Sequence, residues 1–510
     1  MKKGVFILCL AICALFAVSS VCASDVNDTI TTSDDTAEII GEANDEEIVS
    51  SADEEAIASS ENEDALSATP GTFTELQNKI DDAESNSTIS LDKDYKYDSG
   101  FDIEGIRIFK HLTINGNGHT LDGLSKSRIF YLKDTEKTSN GATYKIVLNN
   151  IKFINGCGGG GAIYAYGTYK VAPGYGMNYY RWTWDITING CTFNNNAGGA
   201  IIDVDDLFSG PNTITITNSV FSNNKGSDGG AICSQGHLTV TNTKFNNNKG
   251  TENGGAIYKS GYEVNLNNCI FTSNSAINGA AIDLFTNDDY ESYIQSCTFN
   301  SNKASEDGGA ILVYSDATIK SSKFTGNTAG HDGGAIYFVS YSKSTSSMGN
   351  YYHSYHQQVL GSTFTNNAAG NAGGAIFSTV YNKPTVIAEK CTFTGNKAKS
   401  GNAVSNVKTS NCIIKNPAKT KLTLKTVKIK KSAKKLILKA TLKKGNTPLK
   451  SKKITFKFNG KKYKAKTNKK GIAKVTIKKK ILKKLKVGKK VKYQASYGKL
   501  TVKKTAKVKK

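Results

Sequence analysis

One short pattern recurs through the middle of this chain, and a chain built that way has few folds open to it. Phenylalanine stands at Phe153, Phe193, Phe221, Phe245, Phe271, Phe299, Phe324, Phe364 and Phe393, each followed by a Gly-rich step and an Ile or Val. Successive phenylalanines are 40, 28, 24, 26, 28, 25, 40 and 29 residues apart. A unit of about 25 residues cannot bury an apolar face alone and must stack on its neighbours, which makes a solenoid.

Within a unit the apolar residues alternate over three to five positions, as in Thr213, Ile214, Thr215 and Ile216. That is strand periodicity, and no unit holds ten residues at helical spacing. The unit therefore reads as one coil of a parallel β-helix. Three residues after the phenylalanines comes Asn196, Asn224, Asn248, Asn274, Asn302, Asn327, Asn367 or Asn396. Stacked coils would set these amides roughly 4.8 Å apart, each donating to one neighbour and accepting from the other. Doublets such as Gly254-Gly255 and Gly308-Gly309 supply backbone angles that a Cβ would resist. Two residues before Phe stand Cys191, Cys269, Cys297 and Cys391, where other coils have Ser or Thr. Strand parity points these thiols inward as small buried groups. Cys269 and Cys297 fall on adjacent coils and are the one pair placed to bridge. No Cys-x-x-Cys occurs, so no metal site is expected.

Ahead of the repeats, residues 1–23 have the form of a secretory signal: Lys2 and Lys3, an apolar run from Val5 to Val18, and a Val21-Cys22-Ala23 end. Residues 24–70 hold fifteen Asp or Glu and no Lys or Arg, an acidic leader too polar to fold. Phe73, Leu76 and Ile80 stand at helical spacing and predict a short helix from Thr72 to Ala83 that caps the first coil. The β-helix is expected over 71–417.

Two units are long, and both gain their extra residues between the GGAI strand and the next strand. The first insert carries Tyr166, Tyr169, Tyr175, Tyr179, Tyr180, Trp182 and Trp184; the second carries Tyr341, Tyr351, Tyr352 and Tyr355 with His353 and His356. Equal insertion points put both loops on one edge, six coils or roughly 29 Å apart. Between them Tyr258 and Tyr337 follow the Ile of their GGAI strands and should face outward, and Asp283 takes the same register. Rigid, amphipathic rings of this kind suit sugar faces. The expected ligand-contacting face is thus Tyr166, Tyr169, Tyr179, Tyr180, Trp182, Trp184, Tyr258, Tyr337, Tyr341, Tyr351, Tyr352 and Tyr355; the bland alternative is that each loop folds its rings into a lid.

After Pro417 the composition changes. Residues 418–510 hold 37 Lys and neither Asp nor Glu, with alternating strands Lys421 to Lys425, Leu436 to Leu442, Ile454 to Phe458, Ala473 to Ile477, Val491 to Ser496 and Leu500 to Val502. Turns such as Asn459-Gly460 separate them, so a small β-sandwich is expected. The net charge of +23 therefore hides an acidic leader, a nearly neutral solenoid and a strongly basic end. Only three arginines occur, Arg107, Arg128 and Arg181, none in the basic part. Together with the export signal this argues against nucleic acid and for an anionic cell-envelope polymer as partner.

The repeat from Phe299 to Ile311, FNSNKASEDGGAI, the TFTELQ segment from Thr72 and the LTINGNGH segment from Leu112 resemble those of adhesin-like surface proteins of methanogenic archaea. The resemblance covers about Thr72 to Lys510. It implies a right-handed parallel β-helix solenoid with a short N-terminal capping helix, then an immunoglobulin-like β-sandwich, in a secreted, cell-surface or wall-associated protein that contacts a surface glycan or another cell. Longer members carry further immunoglobulin-like domains, a wall-binding module or a terminal membrane helix. Here no transmembrane anchor is expected, and the Lys-rich domain is the candidate anchor.

Two other readings stay open. A polysaccharide-active lyase or hydrolase on the β-helix wall would need clustered or paired carboxylates, and Asp203, Asp205, Asp206, Asp283, Asp288 and Asp289 are the candidates. Asp228, Asp307 and Asp332 each precede a Gly doublet and read as turn formers. No acid–base pair assembles in the sequence, so no catalytic residue and no cofactor is assigned, and an enzyme is the less favoured reading. A purely structural spacer is the other.

Overall fold

The computed structural model describes residues 69–133, 142–171, 179–205, 211–287, 289–346, 349–380, 385–415 and 420–510, with the backbone alone at 168–171, 179–182, 342–346 and 349–353. The expected signal sequence and nearly all of the acidic leader lie outside the described residues. The chain divides into two compact units, Met1–Lys415 and Asn416–Lys510.

The first unit is a right-handed parallel β-helix. Its described strands form two long sheets of 13 strands, one of 11 and a minor one of 6; each complete coil contributes one strand to each long sheet, and the hairpin strand Thr168–Val171 adds one to the third. In one coil Val220–Ser222 enters the Phe sheet, Lys225–Gly226 the minor sheet, Ile232–Ser234 the 11-stranded Ile sheet, and His237–Thr241 the third sheet. The next coil repeats this in register, Phe221 opposite Phe245 and Ile232 opposite Ile257.

The phenylalanines stack inside the solenoid as their spacing predicted. From Phe153 to Phe393 adjacent ring centroids lie 4.4 to 5.0 Å apart, and the rings are buried. The asparagine ladder is present too. Asn248 Nδ2 donates to Asn274 Oδ1 at 3.0 Å and to the Phe221 carbonyl at 3.0 Å, and its backbone N–H donates to the same Asn274 oxygen at 2.9 Å. From Asn196 to Asn367 each backbone N–H and side-chain amide of the stack thus finds an acceptor one coil away.

Corners come from left-handed residues, and the Gly doublet accounts for only one of them. Gly254 has φ +57°, and a Cβ on Gly255 would lie 2.0 Å from the Ala280 carbonyl oxygen. The bends on either side of the Phe strand also use positive φ, as at Asn242 and Asn247 around Phe245, Ser296 and Ser301 around Phe299, and Lys390 and Gly395 around Phe393. Asn, Ser, Lys and Gly all fill those two positions, which is why no single letter marked them.

The inward thiols are as expected. Cys191, Cys269, Cys297 and Cys391 are buried and unbridged. They continue a ladder of Ser and Thr hydroxyls: Ser219 Oγ donates to the Thr217 carbonyl at 2.8 Å, and Cys269 Sγ to Asn267 at 3.4 Å. A thiol hydrogen bond between Cys269 and Cys297 lowers the first group's pKa and raises the second's.

At the open end, Phe73–Asp82 is helical, with Thr72 as N-cap and a capping box to Glu75. Phe73, Leu76 and Ile80 are buried, and the Phe73 ring meets Tyr97 and Phe101 edge-on at 6.4 and 6.0 Å. The helix covers apolar residues that the first coil would otherwise present to water.

The second unit is a two-sheet sandwich with its own core, including Leu438, Phe456, Ile477 and Tyr493. One sheet orders Ile429–Lys430, Leu500–Lys509, Lys490–Tyr497, Lys453–Phe458 and Lys461–Lys466; the other is built on Lys435–Lys444, flanked by Thr420–Leu424 and Ile472–Lys478. Strand Lys461–Lys466 was not legible in the sequence. Four of its six residues are Lys, and only Tyr463 and Ala465 turn toward the core.

Candidate ligand-contacting surfaces

The outer face of the Ile sheet carries a line of aromatic residues set by register. Tyr131 pairs with Tyr164 across one step; Tyr258 with Asp283, Asp283 with Leu312, Leu312 with Tyr337, and Tyr337 with Phe377 across the steps further along. All of these stand one residue after an inward apolar side chain, so the pleat turns them outward. The Tyr131 and Tyr164 rings stack at 5.8 Å, and Tyr337 and Phe377 lie at 5.0 Å. The Arg128 guanidinium sits 5.0 and 4.7 Å from the Tyr131 and Tyr164 ring centres, steered by hydrogen bonds to the Gly159 and Glu104 carbonyls. Tyr258 and Tyr337 belong to this line as predicted. Tyr131, Tyr164 and Phe377 were missed, although the rule that selected Tyr258 applies equally to Tyr164 after Ile163 and Phe377 after Ile376.

Both inserts are antiparallel hairpins, Thr168–Val171 with the start of Tyr179–Asn189, and Tyr341–Ser346 with Gly349–Ser354. Each leaves between the Ile sheet and the third sheet, and six coil steps separate them. The side chains of Tyr169, Tyr179, Tyr180, Trp182, Tyr351 and Tyr352 lie outside the described residues. Tyr166 is half-buried and parallel to Tyr164 at 6.4 Å, with the Lys133 ammonium 5.1 Å from its ring. Tyr341 is also half-buried.

Two members of the expected face are not on it. Trp184 is 0% exposed and belongs to the solenoid core, its indole N–H donating to the Tyr166 carbonyl at 3.1 Å. It shares the inward face of its strand with Ile186 and Ile188, two and four residues on. Tyr355, 7% exposed, is buried where the second hairpin rejoins the wall, its N–H bonded to the Ser340 carbonyl.

The acidic candidates separate into unlike environments. Asp203 is buried on the inward pleat and saturated, accepting from Asn212 Nδ2 at 2.7 Å, Ser234 Oγ at 2.8 Å and Gly236 N–H at 3.0 Å. It is a structural acid, not one facing a substrate groove. Asp205 accepts the Asn212 N–H through one oxygen, while the other is buried without a partner among the described residues. Burial, then the nearby Asp203, pushes the Asp205 carboxyl up to about 8. Asp283 is only 3% exposed despite its outward pleat, and burial with a smaller push from Asp228 raises it to about 8. Asp289 is exposed, and Asp206 and Asp288 lie outside the described residues. Asp228, Asp307 and Asp332 do more than form turns. Each accepts from the next coil, Asp228 from Asn253, Asp307 from the Asp332 N–H and Asp332 from the Ala372 N–H.

Lys259 was not singled out in the sequence, where it follows Tyr258 like any surface lysine. Its side chain is 0% exposed, turned inward in register with Ser234. The ammonium donates to the Gln235 and Ser260 carbonyls at 3.1 and 2.5 Å, and burial lowers it to about 7 against the pull of Asp203. Nearby, His237 Nδ1 lies 2.8 Å from Glu263 Oε1, its ring packed on Tyr262 at 4.8 Å. Among the described residues no group of three or more His, Cys, Asp or Glu is arranged to hold a metal ion, and no helix is long and apolar enough to cross a membrane.

On the outer face of the five-stranded sheet of the second unit, Lys457, Lys492 and Lys503 are exposed around Gln494 and Thr505, lining a shallow furrow of about 510 Å³. Lys457 pairs with Gln494, and Gln494 with Lys503, so two of these lysines flank one glutamine across adjacent strands.

Residues 68–198 match a family model described as "Putative pectate lyase-like adhesive domain". The Chlamydia polymorphic membrane protein repeat matches at 218–235, 242–260, 296–314, 321–339 and 361–379. No curated protein matches the chain. Among solved structures, the periplasmic alginate epimerase AlgG is similar at 10% identity and a TM-score of 0.23, covering 66% of this chain and 82% of its own. The two family matches, laid on the solenoid described above, support a β-helix surface protein of adhesin-like kind.

Proposed function

We propose that the solenoid is the contact surface of a secreted adhesin and that the Lys-rich unit holds the protein to an anionic cell-envelope polymer. The observation that carries the first half is the aromatic line on the Ile sheet, where Tyr164, Tyr258, Tyr337 and Phe377 occupy one outward register over several coils. Rings set at intervals along one wall offer sugar faces separate platforms while Tyr hydroxyls supply polar contacts. The second half rests on 37 lysines without one acid in residues 418–510, a charge that attracts polyanions without base recognition. The finer family reading is the adhesin-like proteins of methanogenic archaea, with the sandwich as their immunoglobulin-like domain.

A glycan array and a pull-down on isolated envelope, run with the full chain across a salt series, test both halves. Salt-sensitive envelope retention alongside glycan binding that Tyr164→Ala and Tyr337→Ala weaken is the expected result. Glycan binding indifferent to both substitutions would remove the aromatic line from the reading.

A further inference from the structure

The middle of the aromatic line is interrupted by an acid in an unusual state. Asp283 stands one step from Tyr258 on one side and from Leu312 on the other. Phe285, two residues on, shares its outward face, and the Phe285 ring meets Tyr314 at 5.8 Å. Leu284 pairs with Val313, so the pleat sets the Phe285 and Tyr314 rings that follow them on the face that carries Asp283, and the carboxyl acts electrostatically on Tyr314. Among the described residues no hydrogen bond or ion pair reaches this carboxyl, although it is 97% buried. A buried acid left unpaired is costly, and native proteins rarely keep one without a use.

The surroundings specify what is missing. Among the described residues the charged side chain acting on Asp283 is another acid, Asp228, and the rings alongside feel Asp307 and Asp332. Lys259, which follows Tyr258 in sequence, points inward and interacts with Asp203, Asp205 and Glu263 instead. The patch therefore combines uncompensated negative charge with the faces of aromatic rings, a pairing that attracts organic cations. A divalent metal ion would need several more oxygen ligands than one carboxylate supplies, and no cluster of three ligating side chains stands here among the described residues.

We propose that the patch around Asp283 binds a protonated primary amine, the ammonium taken by the Asp283 carboxylate and bordered by the Tyr258, Phe285 and Tyr314 rings. The assignment rests on the reading of this sheet as the ligand-contacting face and narrows the ligand to one bearing an amino group, as in an amino sugar or an exposed lysine side chain.

A chemical consequence follows. Asp283, facing Tyr258, Leu312, Phe285 and Tyr314 and repelled by Asp228, holds its proton up to about pH 8 when the site is empty. An ammonium favours the carboxylate, so binding near pH 7 expels a proton, and affinity for a lysine-type amine, protonated to about pH 10, rises as pH approaches 8.

The test is calorimetry on the full chain near pH 7 in two buffers of different ionisation enthalpy. The ligands are glucosamine, N-acetylglucosamine as its uncharged counterpart, and Nα-acetyl-lysine methylamide. Binding of either amine with proton release, and binding of N-acetylglucosamine at least about tenfold weaker, is expected; the amine that binds identifies the source. Asp283→Asn should weaken the amine about tenfold and abolish proton release. Tyr314→Ala, which keeps the carboxyl, should weaken it about fivefold with proton release intact. Absence of binding by both amines, or equal binding by wild type and Asp283→Asn, overturns the assignment. Loss of glycan-array binding while an amine still binds would instead overturn the broader adhesive reading.

Discussion

Asn224 Nδ2 and the Asn224 backbone N–H both donate to a single oxygen, Oδ1 of Asn248 one coil later, at 2.9 and 3.1 Å. That oxygen sits in the buried stack, with no solvent to replace it. Asn248→Ala strands both donors, each worth about 1–3 kcal/mol when unsatisfied, so the substitution should cost about 2–4 kcal/mol. Asn246→Ala, outward on the neighbouring strand, should stay within about 0.5 kcal/mol. Denaturant midpoints of the full chain check the difference.

Lys259 closes a corner from inside. Replacing it with Met keeps much of the volume but leaves the Gln235 and Ser260 carbonyls without their ammonium. A loss of about 2–4 kcal/mol is expected. A variant as stable as wild type would show that water or backbone movement can replace the ammonium.

Stability should fall with pH through Asp283. Its carboxyl titrates near 4 in the unfolded chain and near 8 in the fold. The fold therefore binds the proton more tightly, and the stabilisation is full below about pH 4 and lost as pH rises toward 8. Asp283→Asn should match wild type at pH 4 and melt higher at pH 8.5. Asp205, raised to about 8 as well, contributes a slope of the same sign, so Asp283→Asn flattens the profile only in part.

Charge reversal at Lys457 and Lys503 should weaken envelope retention at low salt while leaving the melting temperature nearly unchanged, since both side chains are exposed and the unit holds no acid for them to pair with. The difference from wild type should vanish at high salt. Equal retention of the variant at low salt would assign the attachment elsewhere in the chain.

Much of the solenoid was legible because its main contacts join like to like. A phenylalanine stacks on the phenylalanine one coil on, and an asparagine bonds to the next asparagine, so spacing alone reveals the partner. The capping helix was legible for a similar reason, with Thr72, Glu75 and the Phe73, Leu76, Ile80 stripe all local in sequence. Even the outward line could be indexed by counting from each inward isoleucine.

Pleat parity near the inserts, burial on the outer face and the identity of inward polar groups were decided only in three dimensions. Trp184 lies in an aromatic insert yet continues the inward set of Ile186 and Ile188, because its strand extends past the point where the insert's composition ends. Asp203 and Lys259 have the letters of surface residues, but both turn inward where hydrogen-bonding groups from other coils or strands meet them. Asp283 shares the register of Tyr258 and Tyr337, and only the folded neighbourhood leaves it nearly buried with no cation beside it among the described residues. Sequence alone determined the stacking architecture, since repetition makes each coil the template for the next; tertiary structure decided which polar side chains lost their water, since that depends on neighbours from several coils at once.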